Sequence, residues 1–230
     1  MRDGAKKWWT AVLLAAAGLT AYEVLIRPWS KHWGATRREA QAPLPGDELL
    51  GHARLATTHA ITINAPARRV WPWLVQMGQG RGGFYSYWRL ENLLGAQIRN
   101  ADRILTEHQD LAAGDTVPFE PGGTGMTVVR LEPERALVLA GGVDARGEPA
   151  GTPPNPLGLR ATWAFVLRES GAGATRLIVR LRMDWRPSPV VDAGAHLLLE
   201  PGHFIMERKM LLQLKHLAER RSEAGGEDAA

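Results

Sequence analysis

From Arg176 to Trp185 the chain alternates almost without interruption. Leu177, Val179, Leu181, Met183 and Trp185 form one set, and Arg176, Arg180, Arg182 and Asp184 the other. Neighbouring side chains on a strand point to opposite faces, so this spacing predicts a strand with one buried apolar face and one wet charged face. Antiparallel sheets carry that division. The preceding strand repeats it, with Trp163, Phe165 and Leu167 on one face.

The rest of the chain supplies partners. Short apolar runs at Thr116 to Phe119, Met126 to Leu131 and Ala136 to Ala140 are separated by turn chemistry at Gly114-Asp115 and Pro121-Gly122-Gly123. His59 to Ile63 reads as an earlier strand, with Ile61 and Ile63 on one face and Ala60 and Thr62 on the other. Asn64-Ala65-Pro66 then opens a helix, with Asn64 as cap and proline in the first turn. Val70, Trp73, Leu74 and Met77 recur at helical spacing, Gly78 stops the helix, and Pro72 should kink or restart it. A second short helix covers about Tyr87 to Leu94 and closes at Gly95. Gly141 to Arg160, rich in Gly and Pro, reads as a long loop. The last helix, about Pro201 to Arg221, carries Met206, Met210, Leu214 and Leu217 on one stripe. One strand, two short helices, a run of strands and a long final helix make an α+β chain.

The amino terminus is different. Trp8 to Tyr22 has no charge, and after Glu23 the apolar character resumes through Ile26. Residues 8–26 form a helix of about 28 Å, just enough to cross a bilayer. Lys6, Lys7, Trp8 and Trp9 stand at one end and Arg27, Trp29 and Trp33 at the other, as at two membrane interfaces. An uncleaved single-pass anchor is the leading reading. A signal peptide cut after Ala15-Ala16-Ala17 and an amphipathic surface helix are the alternatives. Arg27, Lys31, Arg37 and Arg38 lean the domain toward the cytoplasm. The expected division is an anchor over 1–28, a Pro- and Gly-containing linker over 29–52, a domain over 53–222 and a disordered tail over 223–230. Residues 1–45 hold Arg2, Lys6, Lys7, Arg27, Lys31, Arg37 and Arg38 against Asp3, Glu23 and Glu39, which accounts for the whole net charge of +4. The domain is therefore neutral and has no nucleic-acid patch.

The stretch VWPWLVQMGQGRGGFYSYWRLENLLG, Val70 to Gly95, interleaves large rings with glycines. Its W-P-W-L-V-Q-M-G-Q-G-R-G-G-F-Y-S-Y run, its L-E-N-L-L-G and the later M-E-R-K-M-L at Met206 to Leu211 resemble the SRPBCC group. That is the START/Bet v 1-like superfamily, which includes polyketide-cyclase-like proteins, and the likeness points to a bacterial branch of it. The likeness runs from about His59 to Arg221. It implies a helix-grip fold, in which a curved antiparallel sheet wraps the last helix around a cavity, with two short helices after the first strand. It is specific for fold and weak for activity.

The candidate lining combines Trp73, Gln76, Met77, Arg81, Phe84, Tyr85, Tyr87 and Glu91 with Trp163, Phe165, Met183, Met206 and Met210. Rings and methionines make an adaptable apolar lining, and each taken singly also fits a plain core. Glu91, with Tyr85 or Tyr87, is the acid–base candidate; the alternative pairs Glu91 with Arg81 or Arg89. His203 and Glu207, four apart on a helix, could form a metal or acid–base pair, but no third ligand is apparent. No phosphate loop, His-Glu-x-x-His or cysteine cluster occurs, so neither a cofactor nor a metal is expected. GQGRGG follows a helix rather than a strand and lacks the mechanism of a dinucleotide loop. The leading expectation is a membrane-tethered domain holding a lipid, isoprenoid or polyketide-like molecule. A cyclase or dehydratase comes second and a partner-binding scaffold third.

Overall fold

The computed structural model describes residues 2–93, 95–143 and 157–224. Six strands form one antiparallel sheet: β1 Leu55–Ile63, β2 Thr116–Pro118, β3 Gly125–Glu132, β4 Ala136–Gly141, β5 Arg160–Glu169 and β6 Thr175–Asp184. Their spatial order is β1-β6-β5-β4-β3-β2, so β2 to β6 are a meander and β1 closes onto its last strand. His59 stands opposite Val179, and Val179 opposite Phe165, which in turn faces Leu137. Opposed residues share a face, so His59 points the same way as the apolar rows. A bulge between Val128 and Arg130 adds twist to β3.

Seven α-helices accompany the sheet among the described residues: α1 Arg2–Ala21, α2 Arg27–Lys31, α3 Arg37–Gln41, α4 Ala67–Val75, α5 Trp88–Leu93, α6 Pro189–Gly194 and α7 Glu200–Ala224, with a π-helical turn, Tyr22–Ile26, joining α1 to α2. A second π-helical turn, Ala195–Leu199, joins α6 to α7. The final helical run therefore begins at Pro189, earlier than expected, because proline suits a first helical turn. Met210, Leu211, Leu214 and Leu217 of α7 pack into one core with Val70, Trp73 and Leu74 of α4 and the inner face of the sheet. A curved six-stranded sheet around a long carboxy-terminal helix is the helix-grip arrangement, the fold that the resemblance implied, and it fits the α+β order read from the residue pattern.

Local details differ. α4 runs through Pro72, and its cap position is Pro66. The Asn64 backbone N–H instead donates to Glu219 at 2.6 Å. Leu94, residues 144–156 of the long loop and residues 225–230 of the tail lie outside the described residues.

The charged face of β6 is not wet. Arg180 is buried, because residues 29–52, expected as a linker, lie against it. Its guanidinium donates to Asp47 at 2.6 Å, to the carbonyls of Glu39, Ala40 and Ala42 at 2.8 to 2.9 Å, and to Thr58 at 3.0 Å. Arg176 holds both oxygens of Glu39 at 2.8 Å, and Arg182 holds the Leu50 carbonyl. Leu44 and Leu50 are buried, and Ala60 N–H of β1 donates to the Trp33 carbonyl at 3.2 Å. Gly34 sits beside this contact with φ +72, where a side chain would run into the Ala60 carbonyl. Arginine explains the reversal: a long apolar stem and a five-donor fork let one residue satisfy several carbonyls that water would otherwise serve. Residues 29–52 are a strap on the domain.

At the amino terminus, Val12–Lys31 is long and apolar enough to cross a membrane, with a mean hydropathy of 1.2 and none of it buried. That segment ends later than the expected 8–26, because the helix continues through the π-helical turn into α2.

Arg180→Met removes the buried fork and leaves Asp47 and three carbonyls without it. Breaking a buried pair costs about 3–5 kcal/mol. Urea unfolding should show that loss, and limited proteolysis should cut within residues 29–52 faster than in the parent chain; unchanged cutting would mean the strap holds without Arg180.

Candidate functional site

A cavity of about 280 Å³ lies between α7, β5 and residues 84–98. Its apolar wall is Phe84, Ile98, Phe119, Trp163, Met206 and Met210, and its polar groups are Ser86, Glu91, His203 and Glu207. Trp163 reaches it from β5, and His203, Met206, Glu207 and Met210 share the side of α7 that faces the sheet. Steps of three and four residues put these α7 groups on one stripe. Asn100 shapes the opposite wall: it accepts from Tyr85 N–H at 2.8 Å and donates to the Ser86 carbonyl at 2.9 Å. Ser86 Oγ then donates to the Met206 carbonyl at 3.0 Å. Gly83, at φ +71, is required at this turn, since a side chain would meet the Arg99 carbonyl at 2.6 Å.

Glu207 is the electrostatic centre. Its side chain has no exposed surface, and it receives three donors: His59 Nδ1 at 2.9 Å, His203 Nε2 at 2.8 Å and Trp163 Nε1 at 3.1 Å. His59 Nε2 meets the Ser30 carbonyl at 2.7 Å. A carbonyl and a carboxylate both accept, so both His59 nitrogens carry protons and the ring is an imidazolium. Burial pulls the His59 pKa down, but the Glu207 hydrogen bond and charge, with the Ser30 carbonyl, outweigh it and leave it raised. Burial likewise pushes Glu207 up, but the charges and hydrogen bonds of His203 and His59 prevail and hold it far below the usual carboxylate range. The result is a buried, mutually neutralising pair with a second imidazole beside it.

The ligand atoms of His59, His203 and Glu207 lie within 4.8 Å of one another, and a divalent ion would find two histidines and a carboxylate there. The Ser30 contact is of the kind that orients a metal-bound histidine. The donor count argues for the ion pair instead: Glu207 is already satisfied at both oxygens, and ligation through Nδ1 would strip His59 of the charge that balances the buried carboxylate.

Glu91 differs in kind. Burial raises its pKa, and its Oε2 is buried with no hydrogen-bond partner. The expected pairing with Arg81 or Arg89 is absent among the described residues. Arg81 donates to the carbonyls of Val75 and His108 at 2.9 and 3.1 Å, and Arg89 lies over the Trp88 ring at 5.4 Å.

Of the residues expected at the site, Phe84, Glu91, Trp163, Met206 and Met210 come together in the cavity. Met183 lines an adjoining pocket of about 430 Å³ that shares Phe119, Trp163 and His203 with it. Met77 and Phe165 are fully buried core. Trp73 borders a separate surface pocket with Asp102 and Arg220. Tyr87 is exposed beside Trp88 and Lys209. Tyr85 is fully buried, with φ +58, and its hydroxyl donates to the Trp73 carbonyl at 3.0 Å while accepting from Gln76 at 2.9 Å. Burial pushes the Tyr85 pKa up, so its proton stays in place. Gln76 also accepts from Leu105 N–H at 2.9 Å and Gln109 at 3.2 Å. Gln76, Arg81 and Tyr85 therefore bind backbone carbonyls of neighbouring segments, and neither tyrosine lines the cavity with Glu91. The residue missed was His59, although its place on the Ile61–Ile63 face of a strand marked it as a histidine turned toward the core.

No protein-family model and no curated protein matches the chain. Among solved structures it is similar to protein NE0264 of Nitrosomonas europaea, at 16% identity and TM-score 0.45, covering 75% of this chain and 99% of that one. It is similar also to jhp0584 of Helicobacter pylori, at 11% identity and TM-score 0.43, covering 76% and 95%. CalU16 of Micromonospora echinospora stands at 17% identity and TM-score 0.32, covering 72% and 84%.

The buried pair makes stability depend on pH in a defined direction. A histidine raised above its ordinary 6.5 contributes fully below that value and loses its contribution as pH rises through the folded pKa. A glutamate held below its ordinary 4.5 contributes above that value and loses it as pH falls through its folded pKa. The pair is thus at full strength between pH 4.5 and 6.5. Urea midpoints should fall on the alkaline side of this window. In Glu207→Gln that alkaline decline should flatten, on top of a general loss of about 3–5 kcal/mol; an unaltered decline would mean the pair does not carry it.

Proposed function

We propose that this chain binds a small apolar molecule carrying one polar group, in the cavity between α7 and β5. The observation that carries the reading is Glu91: a carboxyl with a buried, unpartnered oxygen on the wall of an otherwise apolar cavity. Buried polar atoms are rarely left without a partner, and a ligand hydroxyl or carbonyl would supply one. The volume of about 280 Å³ is near the lower edge of the roughly 300–1,000 Å³ usual for small-molecule sites. The adjoining pocket behind Trp163 and His203 would take the remainder of a longer chain, as in an isoprenoid, a lipid or a polyketide-like compound. We read the chain as a member of a bacterial SRPBCC branch tethered through residues 8–26, with its domain on the cytoplasmic side. The residue motifs and the apolar helix support this.

A second reading, acid–base catalysis of the cyclase or dehydratase kind, is favoured by one feature. Two carboxyl groups on one cavity are driven in opposite directions, Glu91 up and Glu207 down, as in enzymes that divide acid and base roles. Glu91 would hold the proton to be given to a ligand oxygen. His203, oriented through Nε2 by Glu207, would take one from carbon through its Nδ1. This replaces the tyrosines expected from the sequence.

Native mass spectrometry of the full chain, extracted in mild detergent, should reveal a stoichiometric organic ligand. Met206→Trp, which fills the cavity, should lose the ligand while its unfolding remains cooperative; a ligand retained at parental occupancy would place binding elsewhere. With the ligand identified, Glu91→Gln should keep binding. If the second reading holds, the same variant should slow turnover by about 10²–10⁴-fold.

A further inference from the structure

The foot of the amino-terminal helix does not leave the domain freely. Arg27 pairs with both oxygens of Glu200, through Nε at 2.7 Å and Nη2 at 2.8 Å. Glu23 pairs with His196, and the Tyr22 ring lies edge-on to His196 at 6.3 Å. Trp29 meets Phe204 edge-on at 5.4 Å. These contacts fasten the end of the apolar helix to the π-helical turn Ala195–Leu199 and the start of α7.

That turn is apolar on its open side. Leu197 and Leu198 are 60% and 75% exposed, and Val190 just before it is 81% exposed. The charged groups around them already have partners: Arg27 pairs with Glu23 and Glu200, Lys31 with Glu200, Glu23 also meets His196, and Asp192 lies 3.9 Å from Arg54 and accepts the Trp185 indole N–H at 2.8 Å. On the helix, Val24, Leu25 and Ile26 are exposed at the level of these same pairs. Three exposed apolar residues at the helix foot and an exposed leucine turn thus flank a seam across which Arg27 and Lys31 face Glu200 and Glu23 meets His196. A surface like this suits hydrocarbon, which can accept apolar side chains and neutral pairs but not isolated charges.

We propose that the domain is seated rigidly on the lipid bilayer through Val190, Leu197 and Leu198, with this turn sunk in the interface beside the span. The proposal rests on reading residues 8–26 as a membrane span, and it names the bilayer as the source of the ligand. Leu199 follows the inserted leucines and lines the adjoining pocket, together with Met183, Trp163 and His203. A molecule leaving the bilayer at Leu199 meets apolar wall from there to the cavity that holds Glu91. The strap over residues 29–52 and the paired seam turn the membrane anchor into a fixed mount that aims the pocket at the lipid.

The chain contains no cysteine, so single-cysteine labelling is clean. Leu14→Cys on the span, Leu198→Cys on the turn and Ala172→Cys are each made in the full chain. Ala172 lies in the hairpin at the far end of the ten-residue strands β5 and β6. Each is labelled with an environment-sensitive fluorophore and reconstituted into phosphatidylcholine–phosphatidylglycerol vesicles. Labels at positions 14 and 198 should be quenched by nitroxide-bearing lipid and shielded from aqueous iodide, and the label at 172 the reverse. Lipid quenching at 14 with iodide access at 198 would overturn the seat and leave the span standing. Lipid quenching at neither position would overturn both. Shielding of 198 from both quenchers would overturn the proposal in favour of a protein cover, such as a second copy.

Discussion

A carboxylate with no exposed surface must be neutralised where it stands, and Glu207 is neutralised by groups from three separate parts of the chain. His59 comes from β1, Trp163 from β5 and His203 from its own helix. His59 in turn holds the Ser30 carbonyl, so the same cluster reaches the foot of the amino-terminal helix. Sheet edge, sheet centre, grip helix and strap are joined at one charge. If any donor moved away, the uncompensated carboxylate would cost several kcal/mol, which is why this cluster fixes how α7 lies on the sheet. It also sets the polar end of the cavity, since Glu207 and His203 line it.

A second set of charges organises the opposite face. Arg176, Arg180 and Arg182 stand on the outer side of β6 and bind the strap largely through its backbone carbonyls. Backbone carbonyls in an irregular segment need donors, and a row of arginines at strand spacing supplies them in register. The outer row thus does structural work for the segment that joins helix and domain. Gly34 and buried Leu44 and Leu50 complete the fit. Inner and outer faces of one strand therefore hold the two ends of the molecule: the grip helix inside, the strap outside.

The cavity takes its chemistry from asymmetry between two carboxyl groups. Glu207 is surrounded by donors and remains charged; Glu91 is surrounded by little that can donate and is pushed toward its neutral form. A neutral carboxyl can give a hydrogen bond that a carboxylate cannot, so Glu91 can donate to a ligand, while Glu207, satisfied at both oxygens, holds the His203 ring at the other end of the cavity. Apolar walls between them strengthen both effects by lowering the local dielectric.

The residue pattern alone determined the strands, the stripe of the final helix, the α+β class and the apolar helix at the amino terminus, because each is written in local periodicity. It also marked Phe84, Glu91, Trp163, Met206 and Met210 as lining. It could not say that Tyr85, Gln76 and Arg81 turn away from the cavity, since that depends on the left-handed Tyr85 backbone and on carbonyls of residues 103–108. Nor could it bring His59 to Glu207, 148 residues away, or show that the charged row of β6 is covered. Periodicity says which way a side chain faces within its own element. What it meets there is decided by strand register, sheet closure and the path of distant segments, and those exist only in the folded chain.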